Sequence, residues 1–319
     1  MSKTNKQNLS KKVDKFYNLI DKACMIYYED EKMDYIEAFI KVAKDLTLEF
    51  DEDKLSDDAI DKLKAIYDKI ENEDFLNEEV RLACELIIVK GLKHRNLVLD
   101  FITPDVINYL YTYIVRAILN YKDLKDKDNL VILDTVLGTG NLLQTIVNNV
   151  EGIDIKCVGI EYDELLIHIA KALSELVGND LIINYQDAKS DNFEYADIVI
   201  GDFGGVKDVY DIILKRIINL DDDGYFIYLI DNDFFNNCTD EFKKKMKDLA
   251  TFVGLIVLPN RFTSESHVGK SIIIGKKKVL SDYQMAIIKI DEELNKDSFE
   301  QAIDKINNMF MNLEGKTYA

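Results

Sequence analysis

The stretch Val131-Ile-Leu-Asp-Thr-Val-Leu-Gly-Thr-Gly-Asn-Leu-Leu143 contains the pattern on which the predicted fold of this chain depends. An apolar run ends in Asp134, Gly138 and Gly140 follow, and residues 141–150 form an amphipathic segment. This order predicts a strand, a glycine turn and a helix. Glycine permits positive φ and a close approach of backbone N–H groups to a ligand, so the turn is a candidate nucleotide-binding site.

Two common phosphate-binding motifs do not fit this turn. The dinucleotide fingerprint requires a third glycine where Leu143 stands, which counts against NAD and FAD. A Walker loop requires Gly-Lys-Ser/Thr, whereas Asn141 follows Gly140. The pattern that remains is Asp-x-x-x-Gly-x-Gly-Asn, for which a plain strand-to-helix connection is the alternative interpretation.

Outward from this stretch, strand and helix patterns alternate from residue 130 to about residue 258, which predicts an α/β, Rossmann-like, doubly wound sheet. Lys270–Gly275 reads as one further strand. Residues 259–269 are too few and too polar for a packed crossover helix, so this last strand is expected to run antiparallel. We therefore predict seven strands in the order 3-2-1-4-5-7-6, with strand 7 antiparallel.

Acidic residues follow or close the second, third and fourth predicted strands: Glu161, Asp187 and Asp202. A carboxylate such as Glu161 at the tip of the second strand can accept hydrogen bonds from both ribose hydroxyls of a nucleoside. The alternative for Glu161 is an acid at the start of the helix predicted over 163–177. The alternative for Asp187 is an ordinary turn aspartate.

The first 95 residues carry helical patterns and contain neither glycine nor proline before residue 91. The last of these helices is predicted to run from Glu78 to Gly91 and to end on that glycine. Thr103 precedes Pro104 and is expected to cap the helix that the proline opens. We expect an N-terminal helical domain over 1–98, a sheet domain over 99–290 and a C-terminal helix over 291–319.

Composition limits the classes of function. The net charge of −19 works against non-specific binding to phosphate backbones, and 47% hydrophobic residues indicate a globular chain. The scattered cysteines and histidines suggest neither disulfides nor a metal site. No apolar run has the length of a membrane span, and the polar start of the chain has no secretory signal, so a cytoplasmic protein is expected.

Taken in chain order, these motifs resemble the N6-adenine-specific DNA methyltransferases, a family of class I S-adenosylmethionine (SAM) methyltransferases. The similarity is nearest to the YtxK-like branch and to the methylase subunits of type I restriction systems, and covers about residues 78–280. The resemblance implies SAM as cofactor and assigns cofactor contacts to these residues: Thr103, Asp134, Gly138, Gly140, Asn141, Glu161 and Asp187. In that family Thr103 lies against the methionine end, Glu161 binds ribose and Asp187 receives the adenine amino group.

The catalytic motif departs from the family pattern. Its usual form is Asn/Asp/Ser-Pro-Pro-Tyr/Phe, whose polar side chain and backbone carbonyl orient the target amine, whereas this chain has Asp202-Phe-Gly-Gly-Val206. The resemblance implies that Asp202 is catalytic. Phe203 either stacks on the target base in place of the missing aromatic residue or belongs to the core.

Two classes of function follow. The first is a SAM-dependent methyltransferase acting on an amino group, with DNA adenine as the acceptor that the resemblance implies. Because few residues follow Gly275, such an enzyme would need a separate specificity partner. The second is a SAM-binding scaffold with impaired catalysis that acts through protein partners. Methylation of a non-DNA substrate is a further alternative, which the acidic composition favours over DNA.

Overall fold

The structure is a computed structural model that describes residues 3–99, 102–122, 129–190, 195–262, 269–293 and 296–315. The chain divides into two compact units. The first comprises Met1–Ile102, Gly138–Asn149 and Asp163–Leu181, and the second comprises Thr103–Leu137, Val150–Tyr162 and Ile182–Ala319. Among the residues described, no helix is both long and apolar enough to cross a membrane.

The helices are, in chain order, α1 (Lys3–Asp30), α2 (Tyr35–Thr47), α3 (Asp57–Glu71), α4 (Asn77–His94), α5 (Asp105–Tyr121), α6 (Asn141–Asn149), α7 (Glu164–Val177), α8 (Val209–Asn219), α9 (Phe234–Asn237), α10 (Asp240–Leu249) and α11 (Lys296–Glu314). The strands are β1 (Asn129–Asp134), β2 (Asp154–Glu161), β3 (Leu181–Tyr185), β4 (Ala196–Asp202), β5 (Leu220–Asp231), β6 (Thr251–Val257), β7 (Lys270–Lys276) and β8 (Ala286–Lys289).

In the first unit, helices α1 to α4 share one apolar cluster with residues of α7. The side chains of Asp34 and Ser56 cap α2 and α3 by accepting hydrogen bonds from backbone N–H groups. The predicted end of α4 at Gly91 is wrong, because the helix continues to His94. Gly91 is needed for packing instead, since a Cβ there would lie 2.8 Å from Ile36 Cδ1 of α2.

The second unit contains the sheet, whose strand order is β3-β2-β1-β4-β5-β7-β6-β8. Strand β1 pairs parallel with β2 and β4, and β4 pairs parallel with β5. Strand β7 runs antiparallel to both β5 and β6. The predicted order and the antiparallel seventh strand are therefore confirmed, and β8, parallel to β6, adds an eighth strand. Most of the return predicted over 259–269 lies outside the described residues, which omit 263–268.

The sheet buries apolar side chains on both faces. One face packs against α8, α9 and α10 in a cluster that includes Leu133, Val199 and Phe226. On the other, the Tyr225 ring meets Phe310 of α11 at 5.9 Å between centroids. Such two-sided burial explains the nearly continuous apolar runs of the central strands.

Candidate functional site

Three acids lie at the carboxyl ends of neighbouring strands in the second unit. Asp134 is the last residue of β1, Glu161 of β2 and Asp202 of β4. In the parallel ladders Asp134 is level with Gly159 of β2 and Ile200 of β4, so the other two acids lie just beyond it along their strands. Ligands of doubly wound sheets bind at this edge.

Asp134 is 1% exposed, and its Oδ1 accepts a hydrogen bond from the Val136 backbone N–H at 3.2 Å. The pKa of this carboxyl is raised to about 7, mainly by burial; the Val136 N–H lowers it, and the negative charges of Asp202 and Glu161 raise it. The charges of Glu161 and Asp202 thus act on the Asp134 carboxyl.

Glu161 is 8% exposed, and its Oε1 accepts a hydrogen bond from the Tyr162 backbone N–H at 2.9 Å. The helix-start alternative assigned this carboxylate to the first turn of α7. The residue that caps α7 is Asp163, whose side chain accepts from the Leu166 N–H. The Glu161 carboxylate therefore does not serve as the cap of that helix.

Asp187 lies in an exposed turn after β3. Its Oδ1 accepts a hydrogen bond from the Lys189 backbone N–H at 2.7 Å, and its carbonyl accepts from the Ser190 N–H. This is the geometry of a turn aspartate, the alternative that the sequence left open. The role of Asp187 toward an adenine stays a prediction.

Thr103 does not cap α5, contrary to the sequence prediction. The N-cap of α5 is Pro104, which has no side-chain cap bond, and its carbonyl accepts from the Asn108 N–H. The Thr103 hydroxyl donates instead to Asp202 Oδ2 at 2.9 Å. The structure thereby joins two of the predicted site residues, which are 99 residues apart in sequence.

The Asp202 carboxylate is also held by its own loop, because Oδ1 accepts from the Gly204 backbone N–H at 3.0 Å. The Phe203 ring is only 3% exposed and packs edge-on against Tyr228, with centroids 4.8 Å apart. In this conformation Phe203 is a core residue, the second of the two alternatives stated for it. Stacking on a base would require the ring to leave the core.

Lys270 is a site residue that the sequence analysis missed. A Cβ on Gly204 would lie 1.9 Å from Lys270 Nζ and 3.1 Å from Asp202 Oδ1, so the ammonium fills space that the glycine leaves open. Lys270 also faces Asp231 across the β5–β7 ladder. The sequence pattern placed this lysine at the start of a strand and assigned it no role at the site.

The glycine turn lies in the first unit, where Gly138 and Gly140 have φ of 55° and 78°. Both are left-handed conformations that favour glycine, as predicted for a turn of this kind. Asn141 begins α6 and is 2% exposed. Its side chain bonds Arg81 and Glu85 of α4, so the predicted cofactor residue is engaged by the helical domain.

Comparisons with known proteins find a family model that matches the N-terminal helices. Residues 14–92 match the YtxK N-terminal helical domain of the YtxK-like family. The uncharacterized protein YtxK of Bacillus subtilis (strain 168) is 34% identical over 174 residues, which are 54% of this chain and 51% of that protein. The chain thus spans about half the length of this relative.

Two solved structures resemble nearly the whole chain. A Listeria monocytogenes protein assigned to the class I SAM-dependent methyltransferases aligns with a TM-score of 0.79 at 24% identity, over 94% of this chain and 99% of that one. The type I restriction-modification methyltransferase subunit of Streptococcus thermophilus aligns with a TM-score of 0.63 at 15% identity, over 98% and 89%. The chain therefore carries a YtxK-like N-terminal helical domain and has the fold of class I SAM-dependent methyltransferases, as its motifs predicted.

Proposed function

We propose that this protein binds SAM and transfers its methyl group to an amino group of an acceptor. The observation that carries the proposal is the set of three acids, Asp134, Glu161 and Asp202, at the carboxyl ends of adjacent parallel strands in a methyltransferase fold. Such an edge provides acceptors for ribose hydroxyls and for an amine within one sheet.

The predicted cofactor residues have the chemistry that SAM requires. Glu161 supplies a nearly buried carboxylate for ribose hydroxyls, and the left-handed Gly138 and Gly140 keep side chains away from the turn that follows β1 in the chain. When bound, SAM supplies a methyl group on a positively charged sulfur. We assign the contacts of Thr103 and Asp187 to the same cofactor from the family resemblance.

Asp202 is the residue to which we assign orientation of the acceptor amine. Its carboxylate is fixed by the Thr103 hydroxyl on one oxygen and by the Gly204 N–H on the other. A fixed carboxylate that accepts a hydrogen bond from an amine directs the nitrogen lone pair, which is a positioning effect. Adenine N6 in DNA, presented by a separate specificity subunit, is the acceptor that the motif resemblance favours.

A SAM-binding scaffold acting through protein partners is the second candidate, and the Asp202 loop favours it. Phe203 is packed in the core. Phe203 and Gly204 stand where the family's loop has its two rigid prolines, and Gly205 stands where it has an aromatic residue. Lys270 Nζ lies beside Gly204, where its positive charge disfavours an amine that becomes cationic on methylation. If the protein is an enzyme, its net charge of −19 favours an acceptor other than DNA.

The test is methyl transfer from tritiated SAM to unmodified genomic DNA, with Asp202→Ala as the matched control. Label in N6-methyladenine that disappears in the variant supports the enzyme. SAM binding without label in any acceptor, with or without a cell extract that contains the partners, supports the scaffold, whereas label in an acceptor other than DNA supports the non-DNA methyltransferase. Absence of SAM binding contradicts both candidates.

A further inference from the structure

Arg81 of α4 is a fully buried cation in the first unit, with 0% of its surface exposed. Its Nε and Nη2 donate to the two carboxylate oxygens of Glu78 at 3.0 and 2.8 Å. Its Nη1 donates to Glu85 Oε2 at 2.9 Å and to Asn141 Oδ1 at 2.6 Å. The guanidinium therefore joins two acids of its own helix to the first residue of α6.

Asn141 is bound through both ends of its side-chain amide. While Oδ1 accepts from Arg81, Nδ2 donates to Glu85 Oε2 at 3.0 Å. A residue with both amide atoms engaged has one side-chain orientation, so the backbone at the start of α6 is fixed along with it. Gly140 is the residue immediately before Asn141, and its left-handed φ of 78° completes the glycine turn.

The same helix also holds the far end of α6. Asn148 Nδ2 donates to Glu78 Oε2 at 3.0 Å, and Asn148 Oδ1 accepts from Asn179 at 2.9 Å. Asn179 further donates to Gln144 Oε1 at 2.7 Å. A continuous polar network thus runs from α4 along α6 to the residue after the left-handed Gly178 that ends α7.

A network of this composition is costly as a packing device. Removing the Arg81 guanidinium fully and two glutamates partly from water carries a desolvation penalty, and apolar side chains of similar volume often stabilise a core equally well. What charged, bidentate hydrogen bonds add is orientation, because they fix a partner to one geometry. The partner here is the first helical residue after the glycine turn.

We propose that Arg81 is a positioning residue for the cofactor: through Asn141 it fixes the turn Gly138–Gly140 and the first N–H groups of α6, and so sets the affinity for SAM. This inference rests on the proposed SAM binding. It gives the YtxK-like helical domain a role in shaping the cofactor turn, in addition to any role in docking.

The test compares Arg81→Met with Arg95→Met. Arg95, just after α4, also pairs with two acids, Asp34 and Glu37, at 2.9 and 2.8 Å. Loss of Arg81 is expected to speed hydrogen exchange of amides 138–144 and to weaken SAM binding, each on the order of tenfold. Arg95→Met is expected to change neither, although it too removes a charge-paired arginine.

Asn141→Ala is the second variant, because Arg81→Met removes the buried cation that pairs with two partly buried glutamates, and the protein can fail to fold. Asn141→Ala keeps the Arg81 pairs with Glu78 and Glu85 and the Asn148 bond to Glu78, and removes only the bonds from α4 to the first residue of α6. It is expected to show the same local exchange and the same loss of affinity. Folded Asn141→Ala with unchanged exchange over 138–144, or with unchanged SAM affinity, overturns the proposal.

The two arms separate this inference from the proposed function. If the unaltered protein binds no SAM, the proposed function fails, and the role assigned to Arg81 in SAM affinity falls with it. The exchange of amides 138–144 in the ligand-free protein still decides whether Arg81 fixes the turn. If the unaltered protein binds SAM and both variants bind it equally well, only the inference about Arg81 fails.

Discussion

Asp134 is the least exposed of the three strand-end acids, and its surroundings raise its pKa. Burial is the main cause of its raised pKa of about 7, and the charges of Asp202 and Glu161 add to it. A carboxyl with this pKa carries a proton through most of the mildly acidic range. The charge of Asp134 itself therefore changes near neutral pH.

The first prediction is a pH dependence of stability that belongs to Asp134. Because the folded-state pKa is raised from 3.8 to about 7, folding takes up a proton in this window. The stabilisation is complete below the lower value and is lost as pH rises through the upper one. Relative to Asp134→Asn, the unaltered protein should lose about 2 kcal/mol of unfolding free energy between about pH 5.5 and about pH 8.5.

The measurement is urea unfolding of both proteins across that range, followed by subtraction of the two free energies at each pH. Subtraction removes the contribution of the other acids, which both proteins share. A difference that does not vary with pH would show that Asp134 is ionised in the folded protein throughout.

At the level of residues, strand-end acids were predictable because a parallel sheet brings the carboxyl ends of its strands to one edge. The side chains that contact these acids were not predictable from the sequence. Thr103 binds Asp202, 99 residues away in sequence, and was expected to cap a helix instead. Lys270 reaches Gly204 only because the antiparallel β7 lies beside β5, a contact that no local pattern reports.

At the level of elements, two glycines leave room for a neighbouring side chain, but the two neighbours differ in how freely they can move. A Cβ on Gly204 would lie 1.9 Å from Lys270 Nζ, the end of a flexible side chain. A Cβ on Gly275 of β7 would lie 1.8 Å from Phe226 Cζ, a buried ring on the neighbouring β5. The ring is packed on its other sides by Tyr228 and Phe252 and cannot withdraw.

The second prediction follows from this contrast. Gly204→Ala should cost about 0.5 kcal/mol or less, because Lys270 moves aside, whereas Gly275→Ala should cost about 2 kcal/mol or more through overpacking of the sheet. Chemical denaturation of the two variants measures both values. Equal costs would mean that the Lys270 side chain is fixed as firmly as the Phe226 ring.

The order of elements was predictable because alternating strand and helix patterns leave few topologies open. The association of α6 and α7 with the N-terminal helices in one unit was not. It depends on contacts such as Arg81 with Asn141, which are 60 residues apart, and on apolar faces that look alike in sequence. For the same reason the expected division at residues 98 and 290 stays a prediction.

At the level of the whole molecule, the net charge and the Asp202 loop are both expected to limit methyl transfer to DNA. The charge of −19 opposes contact with phosphate backbones, and Gly205 has a φ of 76° that a bulkier residue adopts with strain. A loop displaced by about 1 Å can lower a transfer rate about a hundredfold. Each feature limits methyl transfer to DNA by the protein alone.

The third prediction is that the isolated protein labels adenine in genomic DNA weakly or not at all. Lowering the salt concentration should not increase transfer, because the repulsion between a net charge of −19 and the DNA phosphates is screened less at low salt. Tritiated SAM at low and at physiological salt, with Asp202→Ala alongside, makes the measurement. Robust labelling that requires Asp202, without any partner, would contradict this expectation.

Calorimetric titration of the whole chain with SAM tests the central claim most directly, with Glu161→Ala and Glu164→Ala titrated alongside. Glu164 is the matched control because it is an exposed acid in the first turn of α7, where any helix-start effect would lie. The account predicts one binding site, a loss on the order of 1.5–3 kcal/mol for Glu161→Ala, which is at least roughly tenfold in affinity, and no change for Glu164→Ala. No binding by the unaltered protein, or equal affinity in Glu161→Ala, would contradict it.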